Sequence, residues 1–94
     1  MNVLSFKESL LNNDPPQNTS VYLKALWHDA KGEWDKAHIL IQECDDSNAS
    51  WIHAYLHRKE DDTANANYWY RRAGKQVPSV LLEEEWEQIV TALI

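Results

Sequence analysis

The sequence predicts an all-α protein: two antiparallel helical hairpins, a short N-terminal helix and a C-terminal capping helix. Three observations carry this. First, ALWHDAKGEWDKAHILIQEC (25–44) and AYLHRKEDDTANANYWYRRA (54–73) align without gaps. Ala25 meets Ala54, His28 meets His57 and Ala37 meets Ala66, always 29 residues on. A fixed period of this size marks stacked supersecondary units. Second, Gly and Pro are confined to Gly32, Gly74, Pro15, Pro16 and Pro78, too few for a sandwich of short strands. Third, apolar residues recur at helical spacing throughout.

Each element has its own local reason. Ser5 and Glu8 have the form of a capping box, and Val3, Phe6, Leu10 and Leu11 follow as a short stripe to about Asn12. NDPPQNTS (13–20) is a loop, because its proline pair excludes a helix interior. A second helix runs from about Ser20 to Lys31 and stops at Gly32, which accepts the left-handed conformation after a helix. A third, from about Trp34 to Glu43, places Trp34, Ala37, Leu40, Ile41 and Cys44 on one side. DDSN (45–48) turns the chain into a fourth helix, about Ala49 to Glu60. Asp61-Asp62-Thr63 then takes the place of Gly32-Glu33-Trp34, and Asp tolerates the turn conformation. A fifth helix spans about Ala64 to Ala73 and ends at Gly74. Pro78-Ser79 opens a sixth, with Leu81, Leu82, Trp86, Ile89, Val90 and Leu93 as its apolar stripe and four glutamates in its first turns. No linker is long enough to separate domains, so residues 1–94 read as one domain.

Composition narrows the function classes. Five Trp and four Tyr supply large core pieces for a short chain. A formal charge of −6 argues against nucleic acid, whose binding needs a basic face, and against anionic lipid. No apolar run approaches the roughly 18 residues of a membrane span, and the first residues lack the basic start of a signal peptide. Cys44 is the single cysteine, so no internal disulfide forms and a reducing, cytoplasmic setting is expected. There is no Gly-rich phosphate loop, no Cys/His zinc cluster and no nucleophilic triad, so no cofactor is expected. Cys44 aligns with Ala73, a small packed position, and reads as an inert thiol.

GEWDKAHIL, flanked by helices, resembles the hairpin of the tetratricopeptide family. Gly32 ends the first helix, Trp34 follows two residues later, and Ala37 opens the packed second helix, with Ala25 as the small residue of the first. The second copy matches at Ala54, Ala66, Tyr70, Ala73 and Pro78, but Asp61 replaces the Gly and Thr63 the aromatic. The period of 29 also departs from that family's 34. The resemblance covers about Val21 to Pro78 and implies a protein- or peptide-binding scaffold. The chain is also similar to a set of small bacterial proteins of unknown function that share ALWHDAKGEWDKAH and WIHAYLHRKE…NANYWYRRAG. That likeness implies no activity.

Two residue sets stand out as candidate sites. His53, His57 and Glu60 share one helix face, and two imidazoles one turn apart with a carboxylate make a three-ligand metal set. His28 can stand beside them across the hairpin interface. The plainer reading makes these inner-face polar residues bonded to Tyr, Asp or water. The second set is Arg58, Lys59, Arg71 and Arg72 among Tyr55, Tyr68, Trp69 and Tyr70, the composition of binding hot spots, with Glu60, Asp61 and Asp62 near enough in sequence to pair with them instead. Such a patch suits a carboxylate-bearing peptide or metabolite. Arg71 and Arg72 also answer the dipole at the end of their helix.

The functional expectation is a non-catalytic cytoplasmic binding or scaffold module. Its expected groove lies between the second and fourth helices: Tyr22, Trp27, His28, Trp51, His53, His57 and Arg58. The alternatives are a small metal-dependent enzyme using His53, His57 and Glu60, and a homodimer formed through the C-terminal helix. Monomer and homodimer are both compatible with the sequence.

Overall fold

Six α-helices and one 3-10 turn form the computed structural model, which describes residues 1–94 and contains no strand. They are α1 (Val3–Glu8), α2 (Val21–Ala30), α3 (Trp34–Gln42), α4 (Ser47–Lys59), α5 (Thr63–Ala73) and α6 (Leu82–Leu93), with the 3-10 turn at Ser9–Leu11. The all-α class stands.

The N-terminal cap lies one turn earlier than the Ser5–Glu8 expectation. Asn2 Oδ1 accepts from the Ser5 amide at 2.8 Å, and Ser5 Oγ accepts from the Asn2 amide at 3.0 Å. Starting the helix there puts Val3 and Phe6 on one face, and Phe6 is fully buried. Ser20, Asp46 and Asp62 cap α2, α4 and α5 through side-chain oxygens. Each such cap satisfies an amide that the helix itself leaves unpaired. Asn65 adds a 2.9 Å bond from its side-chain amide to Asp62.

The turns after α2 and α4 share one geometry at the 29-residue offset. Gly32 has φ +80° and Asp61 has φ +60°. Glu33 N donates to the His28 carbonyl at 2.9 Å, and Asp62 N donates to the His57 carbonyl at 3.0 Å. Three residues therefore reverse the chain in both places. α2 packs most extensively on α3, and α4 on α5, with α4 also reaching α3, α2 and α6.

The main core draws on every helix except α5. Phe6, Leu26, Trp27, Ile41, Ile52, Leu56, Ile89 and Val90 are essentially inaccessible to water. Ala25 and Ala37 are fully buried in it, while Ala54, Ala66 and Tyr70 form a second small cluster between α4 and α5. Small residues there let helix axes approach closely.

α6 begins at Leu82, later than Pro78-Ser79. The Val80 carbonyl accepts from the Arg58 guanidinium, so it is bound across the fold and not along a helix. The helix then lies on α4, α2 and α1. Trp86 packs beside Phe6 with ring centroids 5.8 Å apart, and its indole N–H donates to the Leu26 carbonyl at 3.0 Å. α6 thus closes the centre of the core; it does not cover the free side of α5. Its stripe is spent inside the chain, with only Leu81 and Ile94 left largely exposed.

One buried charge fixes this arrangement. Glu85, 1 % exposed, accepts from Arg58 Nη1 at 2.9 Å, from the Tyr70 hydroxyl at 2.7 Å and from Trp51 Nε1 at 3.2 Å. Burial, and then the bond to Glu85, raises the Tyr70 phenol well above its ordinary range. A carboxylate taken out of water survives only when its oxygens are bonded and its charge is matched, as here. α4, α5 and α6 are locked together through it.

Candidate functional site

The first candidate set does not assemble as its spacing suggested. His53 and His57 do share a face of α4, but Glu60 is the exposed residue that ends the helix. The third member of the cluster is His38 of α3. One ring nitrogen each from His38, His53 and His57 lie within 4.8 Å of one another. His38 Nε2 and His53 Nε2 are 3.0 Å apart.

Two i, i+4 pairs build this cluster. Trp34 and His38 stack along α3, with centroids 4.9 Å apart and planes 10° from parallel. His53 and His57 stack along α4 at 5.4 Å and 13°. α3 lies against α4, and the two pairs meet edge to face: His38 to His53 at 4.8 Å, His38 to His57 at 5.5 Å, and Trp34 to His57 at 6.0 Å. Trp69 of α5 closes the other side, stacked on His53 at 4.0 Å. Trp34 is itself anchored, because its indole N–H donates to the Leu56 carbonyl at 2.9 Å.

Electrostatics keep the cluster neutral at its centre. Burial pushes the His53 imidazole down to about 4, helped by His38, His57 and Arg72. Burial and His57 likewise lower His38, partly offset by the Glu60 and Asp35 carboxylates. The 3.0 Å contact between two neutral rings holds one proton, donated by one ring and accepted by the other. His53 Nδ1 and His57 Nδ1 are buried and have no hydrogen-bond partner. The nearest carboxylate to His57 Nδ1, Asp62 Oδ2, is 3.9 Å away, beyond hydrogen-bond reach.

The remaining predicted site residues scatter over other parts of the fold. Trp27 is buried, with its N–H 3.4 Å from the Ser9 carbonyl, so it lines no groove. His28 turns away from the cluster and pairs with Glu33 at 2.9 Å, which lowers that carboxyl. Tyr22 donates to Asp46, and the bond raises the phenol to about 12. Trp51 and Arg58 are held by Glu85, and Lys75 Nζ sits 4.1 Å from the centre of the Trp51 indole. The facing sides of α2 and α4 are packed together in the core, so the expected groove between them does not form.

Arg71 and Arg72 are exposed at the end of α5. Arg72 lies over Trp69 and Tyr68, 5.1 and 5.8 Å from their ring centres, and donates to the Tyr68 hydroxyl at 3.2 Å. Neither arginine joins any of the six ion pairs in the chain.

A separate cleft of about 370 Å³ opens among α1, α2, α4 and α6, lined by Lys7, Asp29, Tyr55, Lys59, Trp86 and Glu87. Its charges are largely matched internally, Lys59 to Asp29 at 3.0 Å and Lys7 to Glu87. It gathers no convergent chemistry.

Sequence reasoning missed His38, Trp34 and Trp69 as members of the site. The available signal was the pair of i, i+4 spacings, Trp34/His38 and His53/His57, on helices adjacent in the chain. No helix is long and apolar enough to cross a membrane. No family model, no curated protein and no solved structure matches this chain.

Proposed function

We propose that this chain is a non-catalytic binding module of tetratricopeptide-like design, acting in the cytoplasm, that takes a carboxylate-bearing peptide. The carrying observation is the pair Arg71 and Arg72, two guanidinium groups with no acidic partner in a chain of net charge −6. Beside them Tyr68 is 43 % exposed and Trp69 half-buried, so apolar contact and charge are offered together. Arginine forks a carboxylate with two parallel hydrogen bonds, and aromatic neighbours add contact area. The shared turn geometry at Gly32 and Asp61 supports the repeat character, and the lone, partly buried Cys44 suits a reducing compartment. Because the α6 stripe is buried within the chain, a monomer is the favoured state, and the reading of α6 as a dimer seam loses its apolar surface.

An acidic peptide and its Asn/Gln counterpart, each added to isotope-labelled protein, test this. The acidic peptide should shift the Tyr68, Trp69 and Arg72 amide resonances, and Arg71→Glu with Arg72→Glu should abolish the shifts. Equal shifts with both peptides, or none with either, end the reading.

A further inference from the structure

We infer that His38, His53 and His57 are the protein ligands of a divalent transition-metal ion, with zinc the closest fit. Donor type is the first reason. Three imidazole nitrogens, with no thiolate or carboxylate among them, suit zinc, copper, nickel or cobalt in preference to calcium or magnesium. Geometry is the second. Around a tetrahedral zinc with Zn–N bonds near 2.0–2.1 Å, two ligand nitrogens stand roughly 3.3 Å apart. The Nε2 atoms of His38 and His53 are already 3.0 Å apart, and all three donors lie within 4.8 Å. Small side-chain rotations bring the third nitrogen in.

The third reason is hydrogen-bond accounting. Without an ion, the Nε2 atoms of His38 and His53 meet at 3.0 Å with a single proton between them. An ion accepts lone pairs from all three rings at once and removes the need to share one proton between His38 and His53. Asp62 Oδ2 lies 3.9 Å from His57 Nδ1, outside hydrogen-bond reach, and a side-chain shift would be needed for it to orient a metal-bound His57 ring through that nitrogen. Trp34 and Trp69 hold two of the rings by stacking, so their orientation is set before any ion arrives. Asp35, Glu60 and Asp62 supply negative charge toward the cluster, against the single nearby cation Arg72.

Three protein ligands leave a fourth position for water or an exchangeable ligand. The ion links α3 to α4, which α2/α3 and α4/α5 packing alone join less extensively. The site holds whether or not a peptide docks at Arg71 and Arg72.

Titrating chelator-treated full-length protein with zinc chloride by calorimetry, at neutral pH, tests the inference. One ion per chain is expected, and cobalt(II) should give the visible absorption of a tetrahedral site. Ring resonances of His38, His53 and His57 should shift in the unmodified protein while His28 stays fixed. His38→Phe and His57→Phe should each weaken binding by at least about tenfold, since even outer-shell losses cost 10–100-fold. Glu60→Gln, which removes a neighbouring charge but no ligand, should weaken it far less than either histidine change. Circular dichroism establishes that each variant is folded, and the resonance shifts decide the matter should one fail to fold. No saturable zinc binding, or binding that moves His28 or needs Glu60 but not His38, overturns the assignment.

Discussion

The Tyr70 hydroxyl and the Glu85 carboxylate meet at 2.7 and 2.8 Å, fully inside the protein, where α5 is bonded to α6. Arg58 supplies the compensating charge at 2.9 Å. Because removing one member of a buried pair strands the other, Glu85→Ala should cost about 2–4 kcal/mol of stability. Tyr70→Phe, which removes one donor but leaves the ion pair, should cost about 1 kcal/mol. Urea midpoints measure both. Equal losses from the two changes would mean that Glu85 is not the hub.

Ala37 is fully buried in the main core together with Ala25. Three added carbons have no space there. Ala37→Leu should overpack the α2–α3 contact and cost about 1–3 kcal/mol. Ala66, 3 % exposed against Ala54, should respond alike. A denaturation midpoint unmoved by Ala37→Leu would contradict the packing.

Gly32 and Asp61 hold the same left-handed turn with different side chains. A Cβ on Gly32 would meet nothing within 4 Å, so Gly32→Ala carries only the backbone cost, about 1–2 kcal/mol. Asp61→Gly relieves that strain but frees the unfolded chain, and a net gain of roughly 0.5 kcal/mol is expected. Thermal unfolding of the pair checks the signs, and destabilisation by Asp61→Gly would show that its side chain matters beyond conformation.

Stability should fall on mild acidification in metal-free protein. Unfolded, His53 takes its proton near 6.5; folded, near 4. Between these values the unfolded chain binds more protons, so the His53 contribution is complete above the higher value and is lost as pH drops toward the lower one. The lowered His38 acts in the same direction. The His53 shift by itself should remove about 2 kcal/mol between pH 7 and pH 4.5. His53→Phe keeps the stack on Trp69 and should flatten the slope. An equal slope in that variant would place the acid sensitivity elsewhere.

Ending the chain before Pro78 would strip Trp86, Ile89 and Val90 from the core, each worth about 1.5–3 kcal/mol of burial. The shortened chain should be unfolded or aggregated by circular dichroism and light scattering. A folded, monomeric product would contradict the central position of α6.

The helical class and the position of most turns were legible in local sequence. Gly32, Ser20 and the Asp45–Asn48 cluster act over one turn of chain, and side-chain caps and left-handed residues need no distant partner. The start of α6 was misplaced by about one turn because Val80 is captured by Arg58, a residue 22 positions earlier. The site divided in the same way. His53 and His57 were readable as a pair because one helix sets their spacing. His38 joins them only when α3 lies on α4, and Trp69 only when α5 does. Helical periodicity places residues on a face; it carries no information about which face of another helix will meet it. The sequence alone determined which segments are helical and which side of each is apolar. The tertiary structure decided that α6 enters the core, that Trp27 is sealed within it and that the imidazole joining His53 and His57 is His38 and not His28, because those outcomes depend on how the apolar faces fit together in three dimensions.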